Sequence, residues 1–261
     1  MADVLISVRD DGIATVTLNR PDVHNAFNDA VIATLTEGFR RLGADPAVRL
    51  VLLRGNGPSF SAGADLAWMK RMAGYSLEEN REDALGLAVM LRTLAELPRP
   101  TLAVVQGPAF GGGVGLVAAC DIAIAADTAA FALTEVKLGL IPATIGPYVV
   151  AAIGPRACRR YFLTAERFSA LEAHRLGLVH EVVPGHALDT AVEKVAGRLL
   201  EGGPRAQAES KRLIRDLHGR AVDDALMADT AARIAETRAS DEGREGVASF
   251  LEKRKAAWVK G

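Results

Sequence analysis

The chain has 261 residues, 49% of them apolar and 5% aromatic, with a formal charge of −1, which suits one domain or a domain with an appendage. That balance excludes a broad nucleic-acid surface and a polybasic membrane anchor, while leaving room for a local basic patch on a phosphorylated ligand. Cys120 and Cys158 are too few for a secreted disulfide framework, no signal peptide opens the chain, and the apolar run Leu116 to Ala126 is broken by Asp121 and too short for a bilayer, so a reduced cytoplasmic protein is expected.

In chain order, Leu5 to Val8 and Ile13 to Leu18 read as strands around a hairpin signal at Asp10-Asp11-Gly12. Ala30 to Leu42 has helical apolar spacing, and Val48 to Leu53 reads as a buried strand ended by Gly55-Asn56-Gly57-Pro58. Leu66 to Met72 and Leu85 to Leu97 read as helices, the second stopped by Pro98 and Pro100. Thr101 to Val105 is another strand, Gly115 to Cys120 a short helix, and Ile122 to Ala126 a strand. Beyond Pro155 only Leu178 to Val183 reads as a strand. Helices are expected over Ala187 to Leu200, Pro204 to Leu217, Val222 to Ala239 and Asp241 to Lys253. The pattern is α/β with largely parallel pairing over residues 1–195, followed by a helical region over 196–261.

Two stretches carry the chemistry. Phe60-Ser61-Ala62-Gly63-Ala64-Asp65 and Phe110-Gly111-Gly112-Gly113-Val114-Gly115 each follow a strand, and each leaves backbone open beside small side chains. Two such loops aimed at one point would present paired N–H groups to one oxygen, as an oxyanion requires. The glycine run equally suits a sharp turn that only permits tight packing. Gly113 to Ala118 also fits G-x-G-x-x-A, but the helix is too short for a dinucleotide crossover, and Asp127 comes too early for the ribose. Asp65 is expected to cap the following helix. Glu135 lies among apolar neighbours, where burial would raise its pKa and suit it to proton transfer, although a lone glutamate there could also be a solvated partner of Lys137. The histidines show no metal-ligand spacing, and Cys120 reads as core.

These residues resemble the enoyl-CoA hydratase/isomerase, or crotonase, superfamily along essentially the whole chain. The likeness is carried by Asn19-Arg20-Pro21 with His24-Asn25-Ala26-Phe27, by the two loops, by Cys120-Asp121-Ile122-Ala123, by Glu135 to Pro142, by Ala173 to Val179 and by Phe250 to Arg254. It implies a spiral ββα core with C-terminal helices that trimerise, as a trimer or a hexamer of two trimers. It implies an acyl-CoA thioester substrate, with coenzyme A part of that substrate and no separate cofactor or metal. The matching oxyanion donors are the N–H groups of Ala64 and Gly112, and the matching acid/base is Glu135. Ala62, Gly63, Ala64, Asp65, Leu66 and Ala67, with Phe110 and Gly111, match the wall along the pantetheine and thioester. Val23, His24 and Ala26 match the adenine end, and Phe250 and Lys253 match residues that reach a neighbour's nucleotide.

One position departs. Many family hydratases carry two catalytic glutamates, and Gly115 stands where the first would be. The stretches 113–121, 134–145 and 159–168 resemble bacterial 3-methylglutaconyl-CoA and isohexenylglutaconyl-CoA hydratases, whose branched, carboxylated substrates need room that Gly115 would provide. A Δ3,Δ2-enoyl-CoA isomerase using Glu135 alone, a degenerate member without turnover, and an NAD-binding oxidoreductase are the competing readings.

Overall fold

The structure, a computed structural model, describes residues 2–260. It opens with an antiparallel hairpin, β1 (Val4–Val8) and β2 (Ile13–Leu18), that turns through Gly12 at φ +90°. Helix α1 (Asp29–Ala44) starts at Asn28, whose side chain accepts the Val31 N–H. β3 (Leu50–Gly55) begins later than the apolar run does, because Val48 still belongs to a turn closed by Asp45 O and Arg49 N–H is taken by Gly12 O. α2 (Leu66–Met72) and α3 (Leu77–Ala95) follow. The charged first turns of α3 hide its start from an apolar-periodicity reading; a capping box of Ser76 and Glu79 sets it.

Then come β4 (Thr101–Val105), β5 (Ala109–Phe110), α4 (Gly112–Ala119), β6 (Ile122–Ala126) and β7 (Ala130–Ala132). Helix α5 (Gly146–Thr164) is broken at Gly154, whose φ of 74° and ψ of 159° are not helical, and Pro155 restarts it. β8 (Phe168–Ser169), α6 (Ala170–Leu176), β9 (Glu181–Val183), α7 (Leu188–Glu201), α8 (Pro204–Leu217), α9 (Asp224–Ala239) and α10 (Asp241–Leu251) complete the chain.

The main sheet has the order β1-β2-β3-β4-β6-β9 and is parallel beyond the first hairpin. Its alternating residues serve two cores. Leu50, Leu52, Leu102, Val104 and Ile124 pack with Leu188, Ala191, Val192 and Ala196 of α7. Val51, Leu53, Ala103 and Val105 pack with α1 and α3 through Leu35, Phe39, Met90 and Leu94. A small second sheet, β5-β7-β8, stands at the end of β4.

Helix α7 spans residue 195, where the sequence pattern turns helical, and packs in the second core. Helix α8 docks by Lys211, 2.7 Å from Asp121, which also accepts the Thr101 N–H and hydroxyl at 2.7 and 2.9 Å. The Cys120-Asp121 pair is thus architectural, and burial pushes the Cys120 thiol up, away from thiolate chemistry. Among the described residues no helix is long and apolar enough to cross a membrane, and no group of three or more His, Cys, Asp or Glu gathers to hold a metal.

Candidate active site

Parallel pairing of β3 with β4 sends both following loops out of the same edge of the sheet. The loops bond to each other before either becomes a helix. Phe60 and Ser61 N–H donate to Pro108 O at 3.0 and 3.2 Å, and Phe110 N–H donates to Ser61 O at 2.9 Å. Gln106 spans the junction, its amide donating to Gly55 O and Ser59 O.

Gly63 lies at the crossing, at φ +85°. A Cβ there would stand 2.7 Å from Phe110 O and 3.1 Å from Gly112 N, so the position needs glycine both for its backbone angle and for the approach of the second loop. The segment beside Ala64 is fixed on both sides: Phe27 N–H donates to Gly63 O at 2.8 Å, and Asp65 N–H to Phe27 O at 3.0 Å. Gly111 N–H is taken by Ala132 O at 2.9 Å, which anchors the second loop to β7. The N–H groups of Ala64 and Gly112 have no acceptor among the described residues. Gly112 is the first residue of α4, where free N–H groups and the positive end of the helix coincide.

Asp65 caps α2 as its position suggested, accepting Ala67 and Trp68 N–H at 2.8 and 3.1 Å. Its other oxygen meets Arg20 Nη2 at 3.0 Å. Burial opposes its charge, but the Trp68 N–H, Arg20 and the Ala67 N–H outweigh that and hold the carboxyl below its usual range. Arg20 also donates to Ala26 O. Asn25, buried at φ +55°, donates to Asn56 O and Ser59 O and accepts the Arg20 N–H. The stretch Val23 to Ala26 is thereby laid against the first loop, with Ala62 N–H on His24 O at 2.9 Å and His24 Nδ1 3.0 Å from Ser59 Oγ. Val23, His24, Ala62, Leu66 and Ala67 form an exposed rim, and Phe110 is half-buried.

Glu135 opens a short 3-10 turn, Glu135–Leu138, just beyond β7. Its Oε1 lies 3.2 Å from where a Cβ on Gly111 would stand, so Gly111 is what lets the carboxylate lie against the glycine loop. Its Oε2 is buried and has no hydrogen-bond partner. Burial pushes its pKa up, opposed only by its own backbone N–H. A half-buried carboxylate kept protonatable, with one unpartnered oxygen and packed against the loop that carries the free Gly112 N–H, is an arrangement able to move a proton beside a developing anion.

The structure corrects the reading of Gly115 as a source of substrate room. The residue is buried, and a Cβ on it would overlap Ile145 Cγ2 and stand 2.8 Å from Ile145 Cβ. The volume is filled by protein. Gly112 and Gly113 are backed in the same way by Phe27 and Ser61. Phe250 and Lys253 are not brought to this site within one chain. Phe250 lies in the last turn of α10 and Lys253 just beyond it, and α10 packs on α8 and α9. The tail after α10 is anchored just before the opposite end of β3, where the Trp258 carbonyl accepts Arg49 Nη1 at 2.9 Å. Sequence reasoning did not single out Ile145, Arg20 or the roles of Phe27 and Ser61; the only signal for Phe27 was its place at the end of His24-Asn25-Ala26-Phe27.

The model of the family "Enoyl-CoA hydratase/isomerase" matches residues 9–261. The chain is 34% identical over 257 residues to the crotonyl-CoA hydratase of Syntrophomonas wolfei, covering 98% of this chain and 97% of that one. The solved structure of an enoyl-CoA hydratase from Shewanella pealeana is 42% identical with a TM-score of 0.95, covering 98% of this chain and 96% of that one. Pseudomonas aeruginosa AtuE is 35% identical with a TM-score of 0.95, covering 99% and 100%.

Proposed function

Because the chain belongs to the enoyl-CoA hydratase/isomerase family, we propose that it adds water across the 2,3 double bond of an acyl-CoA thioester. The observation that carries this reading is that two N–H groups without acceptors, Ala64 and Gly112, lie on loops that cross at Gly63, while Glu135, with one oxygen unpartnered, packs against Gly111. The thioester oxygen sits between the two N–H groups, which are worth more to it as an enolate than as a carbonyl. Glu135 takes a proton from water as the water oxygen bonds to Cβ and the π electrons move to the thioester oxygen. The enolate collapses when the same glutamate returns that proton to Cα, leaving hydroxyl on Cβ and a saturated thioester. Coenzyme A belongs to the substrate, and no resident cofactor enters the reaction.

A second reading, Δ3,Δ2-enoyl-CoA isomerase, is favoured by the absence of a second carboxylate at Gly115, since one group suffices to move one proton. The NAD alternative is disfavoured because both glycines of its G-x-G pattern, Gly113 and Gly115, are packed against Ser61 and Ile145. For the acyl group, a branched substrate with a carboxylate, such as 3-methylglutaconyl-CoA, rests on the sequence resemblance. It gains support from Arg167, an exposed guanidinium 4.9 Å from the centre of the Phe110 ring with no carboxylate partner among the described residues. For assembly, the proposal is a homotrimer or a pair of trimers in which Phe250 and Lys253 serve a neighbour's nucleotide end.

The test is turnover of crotonyl-CoA, 3-methylglutaconyl-CoA and a 3-enoyl-CoA side by side, by wild type and Glu135→Gln. Hydration by wild type and a loss of about 10²–10⁴-fold in the variant, with CoA-ester binding retained, is the expected result. Turnover of the 3-enoyl-CoA alone would select the isomerase, and near-wild-type hydration by the variant would remove Glu135 from the mechanism.

A further inference from the structure

Residues 135–145 run alongside the first turn of α4 and meet it at two glycines one turn apart. Gly115 N–H donates to Gly111 O at 3.3 Å, which defines that turn. Glu135 Oε1 lies against Gly111, and the branched side chain of Ile145 lies against Gly115. Between these contacts the segment buries Pro142 and packs its short turn on α5, while much of the rest is exposed. Leu138, Leu140 and Ile141 are exposed, and its backbone bonds are local, from Leu140 N–H to Glu135 O and from Ala143 N–H to Ile141 O. At the far end Ile145 is 2% exposed, and its carbonyl accepts the Tyr148 and Val149 N–H groups at 3.1 Å, so it fixes the segment to α5. Apart from its own backbone N–H, no hydrogen-bond partner among the described residues holds the Glu135 carboxylate, and Oε2 has no partner at all. Its placement is therefore a matter of packing.

We infer that Gly115 and Ile145 form one steric unit that seats Glu135 against the Gly111-Gly112 loop, with Ile145 as a positioning residue for the acid/base. This rests on the reading of Glu135 as that group. Glu135 Oε2 is shielded from water, and in this proposal Ile145 contributes to that shield. No charged group shifts Glu135. Helix α4 carries no titratable side chain, the first turn of α5 offers only the phenol of Tyr148, the small sheet offers Arg167, and the turn itself offers the exposed Lys137.

The test is a cycle of Ile145→Ala, Gly115→Ala and the double variant, assayed on crotonyl-CoA and 3-methylglutaconyl-CoA with Glu135→Gln in parallel. Ile145→Ala removes the wall, and Gly115→Ala pushes it away. Each single change should lower kcat by about 10- to 100-fold with little change in KM, because a displacement of the order of an ångström suffices for that. The acid limb of the kcat/KM profile should move to lower pH in Ile145→Ala as water reaches the carboxylate. In the double variant the overlap with Cγ2 is gone and only the 2.8 Å approach of the two Cβ atoms remains, so it should recover part of both, a non-additivity expected only of groups in contact. Additive losses, or single variants with unchanged kcat and acid limb, overturn the inference. If Gly115→Ala does not fold, Ile145→Ala, which removes the Cγ2 that meets Gly115, carries the test through its acid limb, and an unmoved limb overturns it. An active Glu135→Gln would instead defeat the reading of the base, whatever the cycle gives.

Discussion

A half-buried carboxylate with one unpartnered oxygen and no cation to offset it keeps its proton to higher pH than a solvated glutamate. Glu135 is such a group. As the proposed base it must be ionised, so kcat/KM should fall on the acid side at a pH above the ordinary glutamate value of 4.5. Its folded pKa is raised, so its contribution to stability is complete below the unfolded pKa and is lost as pH rises through the folded one. Glu135→Gln should therefore melt above wild type near neutral pH, with the gap closing in acid, as calorimetry at both conditions would show. Gly63 offers a test of the paired donors. Gly63→Ala forces a Cβ to within 2.7 Å of Phe110 O at positive φ, displacing Ala64 N–H. A loss of about 10²–10³-fold in kcat is expected, the usual effect of removing one oxyanion donor. Arg167→Ala should weaken 3-methylglutaconyl-CoA, measured as KM, and spare crotonyl-CoA; equal effects on both would detach Arg167 from the acyl carboxylate.

Helices and strands set how far the site could be read without coordinates. Ile13–Leu18, Thr101–Val105, Ile122–Ala126, Leu66–Met72 and Pro204–Leu217 match their apolar patterns residue for residue, since each buries a regular face or run bounded by clear stops. Helix α5 did not announce itself, because Gly154 and Pro155 divide its periodicity. The small sheet was invisible, its strands being two or three residues long. That blind spot matters, because β7 is what brings Glu135 back beside Gly111 and α5 is what carries Ile145 onto Gly115. The loop chemistry was legible because glycine and alanine at Gly63, Ala64 and Gly112 are themselves the signal; an apolar wall leaves none. At this scale, Gly115→Glu alone should destabilise by about 1–3 kcal/mol through overpacking on Ile145. Gly115→Glu with Ile145→Gly should regain most of that in urea melts. A single variant as stable as wild type would show that the contact yields freely.

Across the molecule, apolar residues are exposed on the appended helices: Ile214 on α8, Met227 and Ile234 on α9, Val247 and Phe250 on α10, Phe250 being 82% exposed. A surface of this kind suits association. Light scattering should return the mass of three or six chains, and Phe250→Ser should lower that mass or raise KM for CoA esters. A monomer with full activity would contradict the proposed trimer.

The bonds from Phe60 and Ser61 to Pro108 and from Phe110 to Ser61 join segments about fifty positions apart, and the proposed anion site exists only where they meet. Neither segment can prepare its N–H group alone. A chain that has collapsed but not yet brought β4 beside β3 must be catalytically silent, so recovery of turnover during refolding is a clock for that one long-range pairing. A cut in the exposed turn between α2 and α3 would turn the same property into an assay for reunion of two fragments, each inert by itself.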